Sequence, residues 1–310
     1  MRRVISMILV AIIAASSCCL LSACVGYTKT IRYDDADKYS IGSQTYENAD
    51  IDELRIDWPD GQVVLVEDPN ATCVTVAEEN NLDDKRKVHS YYHDGILDIK
   101  FWQSGLHGYV LEKDKHLTVT YRSVRNLVVN VASSTLKATE LHVENADIEM
   151  TSGDIDVDGI TCNKLTCTMT SGDIDINKID CNVFSLDMTS GNACFAEITA
   201  SQVSMSQSSG DITARALNVD TFKSNSTSGD LEASFVRANH IDIVLTSGNV
   251  EIGIPDEGAT VAVASTSGRF KSNLSYIINQ GRYVFGEGKC DIGIEMTSGS
   301  AWIKNCVNNE

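Results

Sequence analysis

Glycine recurs at a fixed step through much of this chain. In "TSGDIDVDGITCNKLTCTMTSGDIDI", residues 151–176, the phrase TSGDID returns after nineteen residues, and the same step separates Gly153, Gly172, Gly191, Gly210, Gly229 and Gly248. Gly268 follows after twenty and Gly299 after thirty-one. Nineteen residues before Gly153 stands Ser134, in a stretch that keeps the apolar pattern but lacks the glycine, as terminal repeats do. A unit this short cannot bury its own apolar face, so its copies have to stack.

Aligned on the glycine, the copies show apolar columns. Two residues on come Ile155, Ile174, Ala193, Ile212, Leu231 and Val250, and four residues on come Val157, Ile176, Phe195, Ala214, Ala233 and Ile252. Polar residues such as Asp156, Asp175 and Thr213 stand between them, the period-two alternation of strands. A second strand carries Ile160, Ile179, Ile198, Leu217 and Val236, then Leu165, Phe184, Val203, Phe222 and Ile241. No copy offers a helical period. The fold class predicted is all-β, a single-chain β-solenoid of the parallel β-helix kind with about nineteen residues per coil and coils roughly 4.8 Å apart. Glycine at the corner supplies a φ > 0 without steric cost.

The repeats predict a solenoid over 132–304, with an insertion near 271–290 whose tyrosines and Phe285 cover the last coil, and a tail at 305–310. Upstream, residues 48–131 lack the period but alternate in "LRIDWPDGQVVLVE", "CVTVAEE", "GILDIKFW" and "HLTVTY", and so read as a β-segment continuous with the solenoid. "PDG" and "HDG" are expected to be turns between strands. Residues 24–47 are polar and read as a flexible tether.

The first residues carry an address. Arg2 and Arg3 precede an apolar run that is short for a membrane span, and "LSAC" at 21–24 matches the bacterial lipobox. That likeness implies removal of 1–23, attachment of a palmitate-bearing lipid to Cys24, and a protein held to the extracytoplasmic side of the cell membrane. Without Arg2 and Arg3, 23 basic residues face 43 acidic ones. So acidic a surface makes nucleic acid a poor partner; a cell-surface polymer or a protein is the expected one, besides the membrane reached through the anchor.

Seven cysteines follow Cys24, an odd number that precludes complete internal pairing. Cys162 and Cys181 share a column of small residues, so stacked coils bring their Cα atoms within disulfide range with their Cβ atoms parallel; they form the one candidate disulfide, and two buried free thiols are the preferred reading.

The residue after each corner glycine is Asp154, Asp173, Asn192, Asp211, Asp230 or Asn249, a ladder that forms the candidate binding face. Stacked carboxylates repel, and either Ca²⁺ or hydrogen bonds from turn N–H groups must offset this. The turn reading is preferred, because Asn replaces Asp freely. No cofactor and no metal site is indicated, and the histidines are scattered. Basic residues are scarce in the acidic columns before Arg269 and Lys271, so a polysaccharide-acting β-helix enzyme would lack its electrophilic partner. A non-catalytic module is expected, with such an enzyme or a Ca²⁺-binding surface module as alternatives.

The "TSGDI" repeats, "LRIDWPDGQVVL" and the closing "GEGKCDIGIEMTSGSAWI" together resemble a bacterial β-strand-repeat family of unknown function whose members are named as adhesins. The likeness spans roughly residues 50–304. It implies an extracytoplasmic β-solenoid, often membrane-anchored, and transfers no catalytic residue. The chain departs from the pattern at Ser134, at Arg269 and Ser300, and in its many cysteines.

Overall fold

A computed structural model describes residues 28–47, 49–79, 82–109 and 115–306; Cys24 and the leader lie outside them. Among these residues the structure is all β, with a single short 3-10 helix, Ala36–Lys38. Residues nineteen apart lie side by side in parallel: Ile155 pairs with Ile174, Ile174 with Ala193, Ala193 with Ile212, Ile212 with Leu231 and Leu231 with Val250. The column Leu165, Phe184, Val203, Phe222, Ile241 forms the facing wall. Both columns are buried, while Asp156, Asp175 and Cys194 between them face out. Alternation thus divides each strand into a core face and a solvent face, and each core Ile, Leu or Phe contributes about 1.5–3 kcal/mol. Across the interior Phe184 meets Phe195 edge-on at 5.3 Å, and Phe222 meets Phe235 at 5.1 Å.

The corner glycines do more than adopt positive φ. Gly172 has φ 121°, and a Cβ added there would lie 1.8 Å from the carbonyl oxygen of Gly153; at Gly191 the contact, with Gly172, is also 1.8 Å. Coils at the β spacing leave no room for a methyl at this corner, so the column is closed to side chains. Ser134, 1% exposed, is accommodated because its φ is not positive, and its hydroxyl donates to the Trp58 carbonyl.

The coils do not stack in chain order at either end. His240–Leu245 and Asn249–Ile254 lie beside Cys290–Met296 and Ser300–Asn305, and Ala259–Ser265 with Arg269–Ser272 lie beyond those. Gly299 therefore stacks on Gly248, and the long interval before it is a detour: the chain builds the outermost coil, then returns to fill the gap. The insertion folds as the hairpin Ile277–Asn279 and Arg282–Val284, whose second strand pairs antiparallel with Ala259–Ser265. Tyr283 stacks on Phe270 at 4.1 Å, and Phe285 is buried.

The other end repeats the device. Glu53–Glu67 pairs with Asn126–His142 on one side, and with Ile96–Lys100 and His116–Tyr121 on the other. "PDG" is accordingly no hairpin but a corner inside one winding, with Gly61 opposite Ser134. "HDG" does turn a hairpin, Asp94 and Gly95 both having positive φ between His93 and Ile96. Antiparallel strands His89–His93 and Cys73–Glu78 border this coil. Out-of-order coils with antiparallel borders blunt the edges that an open stack would present.

Two further expectations are corrected. Residues 28–47 do not form a free tether: Thr28–Thr30 pairs with His107–Tyr109, Ser40–Ile41 with His89–His93, and Gln44–Glu47 with Cys73–Glu78. Ile31 is buried, and Tyr33, Tyr39 and Tyr91 form a contact chain. Val236 is not in the core. A bulge at Ala216, φ 45°, brings Phe235 opposite Leu217 and leaves Val236 52% exposed.

Candidate functional site

Along the glycine corner the exposed ladder Asp154, Asp173, Asn192, Asp211, Asp230, Asn249 is continuous. Each member before Asn249 accepts a hydrogen bond from the backbone N–H of the next: Asp173 N–H reaches Asp154 Oδ1 at 3.4 Å, Asn192 N–H reaches Asp173 Oδ1 at 3.1 Å, and Asn249 N–H reaches Asp230 Oδ1 at 2.7 Å. Asp211 and Asp230 are joined in the same way at 2.9 Å, and Asn192 and Asp211 at 3.4 Å. In each case the donor is the corner N–H of the following coil. This explains why Asn is equivalent to Asp, because the amide oxygen accepts equally well. Asn adds a donor: Asn192 Nδ2 bonds Asp173 Oδ1 at 3.1 Å, and Asn249 Nδ2 reaches both Asp230 oxygens at 3.1 and 3.2 Å.

The two asparagines break the line of carboxylates into pairs. Asn192→Asp places five carboxylates in succession and removes a donor, and about 1 kcal/mol of stability is expected to be lost for the restored repulsion. The loss should shrink in high salt and on acidification, since screening and protonation both remove it. Urea midpoints at two ionic strengths measure the effect.

Beside this ladder runs a second row, Thr151, Thr170, Thr189, Ser208, Thr227 and Thr246, all exposed. The backbone of each row member accepts from the serine of the next coil, as Ser171 N–H does to the Thr151 carbonyl at 2.9 Å and Ser190 N–H to Thr170 at 2.9 Å. Main-chain bonding is thus satisfied between coils, and the Thr hydroxyls and the outer carboxylate oxygens of Asp154, Asp173 and Asp211 face solvent at the strand spacing of roughly 4.8 Å. Such a surface can donate to and accept from a polyhydroxylated or extended ligand.

The out-of-order coil also brings a cation to the acidic rows. Lys304 reaches Glu232 at 3.1 Å and contacts Glu251, a meeting hidden in the sequence because strands 249–254 and 300–305 are adjacent only in space. Lys137 pairs with Asp156 at 2.9 Å. Among the described residues no group of three His, Cys, Asp or Glu side chains is arranged to hold a metal ion. Cys162 and Cys181 sit as free thiols on adjacent coils, one residue beyond the paired Thr161 and Asp180. A cleft of about 730 Å³ opens near one end, lined by Ile51, Thr72, Val74, Arg122 and Ser123. Nothing periodic marks it in the sequence.

No curated protein matches this chain. Among solved structures, a "putative adhesin" from Parabacteroides distasonis is 14% identical with a TM-score of 0.53, covering 89% of this chain and 100% of that one. A "putative lipid binding protein" from the same organism is 15% identical with a TM-score of 0.48, covering 89% and 99%. At 14% identity the first likeness is one of fold. The model of the Toastrack DUF4097 family matches residues 30–193 and again 178–280. The chain therefore belongs to the Toastrack DUF4097 family and has its β-solenoid-like fold.

Proposed function

We propose that this chain is a lipid-anchored, extracytoplasmic, non-catalytic binding module of the bacterial cell envelope. In this reading residues 1–23 are a signal peptide, Cys24 bears the lipid, and a solenoid of about nineteen residues per coil holds its polar ladder away from the membrane. The single observation that carries the reading is the ladder itself: exposed Thr, Asp and Asn rows in register on a rigid parallel stack, with their backbone bonds already made between coils. The adhesin name of the Parabacteroides fold neighbour agrees with it.

An array of glycans and cell-wall polymers, probed with residues 25–310 with and without Ca²⁺, tests the binding. Capture of a polyhydroxylated polymer independent of Ca²⁺, reduced when Thr170, Thr189 and Thr227 are changed to Val, is the expected result. Turnover of a captured polymer would establish the enzyme instead, and silence across the array would transfer the reading to a protein partner. Metabolic labelling with palmitate, lost in Cys24→Ser, tests the anchor separately.

A further inference from the structure

We propose that Cys162 and Cys181 are joined by a disulfide across two consecutive coils when the protein meets a thiol oxidant. They are nineteen residues apart and occupy one column, adjoining the paired residues Thr161 and Asp180. The Cys162 N–H donates to the Asp180 carbonyl at 2.9 Å, which draws the two coils together at this corner. Neighbouring parallel strands put equivalent Cα atoms roughly 4.8 Å apart, inside the span a disulfide bridges. Parallel Cβ vectors oppose bonding on a flat strand, but Cys162 stands one residue past the end of strand Asp154–Thr161 and is not held to that direction. Bond formation then requires side-chain rotation and no shift of register.

Access and chemistry favour the same pair. Cys162 is partly exposed, whereas Cys181 is 8% exposed, so an oxidant meets Cys162 first. The hydrogen bond from the Cys181 thiol holds Cys162 below the ordinary thiol value, while that bond and burial hold Cys181 above it. Cys167, fully inside the wall, is pushed up to about 12 by burial and stays a thiol.

The oxidant is a low-molecular-weight or protein disulfide. The Cys162 thiolate attacks one of its sulfurs, its S–S bond breaks, and one thiol leaves with a mixed disulfide left on Cys162. Cys181 gives its proton to solvent and attacks the Cys162 sulfur, releasing the second thiol. The oxidant gains the two hydrogens that the cysteines lose. The bond closes one whole winding into a ring, so that unzipping from either end of the stack stops at this coil. The inference rests on the register of the two coils; the export proposed above supplies only the oxidising compartment.

The reduced full chain, equilibrated in detergent with equal oxidised and reduced glutathione, provides the test. Peptide mapping should find one internal cross-link joining the peptides of Cys162 and Cys181, with the loss of two hydrogen masses. Tm should rise by about 5 °C, as expected for a ring of this size in a chain of this length. Dithiothreitol should abolish that rise, and it should be absent from Cys162→Ser and from Cys181→Ala. Full alkylation of both thiols after equilibration would overturn the proposal. So would an intermolecular bond through exposed Cys194 with the pair still reduced, or a Tm rise retained in Cys162→Ser. Because glutathione replaces the cellular compartment, a failure of the anchor reading leaves this result unaffected.

Discussion

Gly191→Ala is expected to cost about 4 kcal/mol, several times what a methyl group costs at an ordinary loop glycine. Its φ of 111° lies where an L-residue is strained by about 1–3 kcal/mol. Beyond this, the new Cβ would sit 1.8 Å from the Gly172 carbonyl oxygen, a main-chain atom. That atom cannot rotate away. The flanking coils are held by Ser190 N–H on the Thr170 carbonyl and Ser209 N–H on the Thr189 carbonyl, both at 2.9 Å, so relief means prising coils apart at their bonded edge. Two controls separate the contributions. Gly281, φ 78°, has nothing within 4 Å of its added Cβ, so Gly281→Ala should cost about 1 kcal/mol for conformation alone. Gly159 has no positive φ, and its Cβ would meet the flexible carboxylate end of Glu140, so Gly159→Ala should be nearly neutral. Urea midpoints that place Gly191→Ala level with Gly281→Ala would refute the stacking argument. The same crowding sets the spacing of the binding face, because the Thr row and the Asp row flank the column in which glycine stacks on glycine from Gly153 to Gly248.

Columns such as Ile155–Ile174 and Leu165–Phe184 were legible in the sequence because a fixed step repeats the same buried environment, so each copy restates its neighbour's constraint. The reading fails wherever a neighbour in space is not the neighbour in sequence. Gly61 belongs to the corner column opposite Ser134, yet the coil formed by Ile96–Lys100 and His116–Tyr121 intervenes in the chain, and no period survives such an interruption. Gly299 was visible as a repeat but its position was not, since the step to Gly248 is made in space after a detour. Val236 has the right chemistry for the core and is displaced by one bulge upstream, because a single added residue exchanges inside for outside.

The ladder illustrates a different limit. Its members, Asp154 to Asn249, were evident, and so was the need to offset their repulsion. The acceptor role was anticipated, but the donor came from the next coil, which no single copy contains. Residues 28–47 were misread on composition, although Tyr33, Tyr39 and Tyr46 carried the signal: the Tyr33 hydroxyl donates to the Trp102 carbonyl and the Tyr46 hydroxyl to Ser90 Oγ. Aromatic side chains with a polar tip can fix a polar segment onto a surface.

Lys115→Met is expected to be the most damaging change at the opposite end of the stack, about 3–5 kcal/mol. Lys115 and Glu78 are 0% and 2% exposed and lie 3.0 Å apart, a buried ion pair that neither periodicity nor spacing foretold. The ammonium also donates to the carbonyls of Arg86 and Phe101 and lies 4.0 Å from the centre of the Phe101 ring and 4.9 Å from that of Trp58. Glu78 Oε2 accepts from Val88 N–H at 2.9 Å. One cation thus ties the bordering strand Cys73–Glu78, the 83–88 turn and the outermost coil to the aromatic core. Taking it away leaves a carboxylate without water or counter-charge, and the cost of that stranded charge exceeds what the intact pair contributes. Glu78→Gln in the same chain removes the stranded charge while its amide oxygen still accepts from Val88. The double variant should therefore recover about 2 kcal/mol relative to Lys115→Met alone, a coupling typical of contacting groups. If the two losses simply add in urea unfolding, the pair is not the joint that holds this end closed.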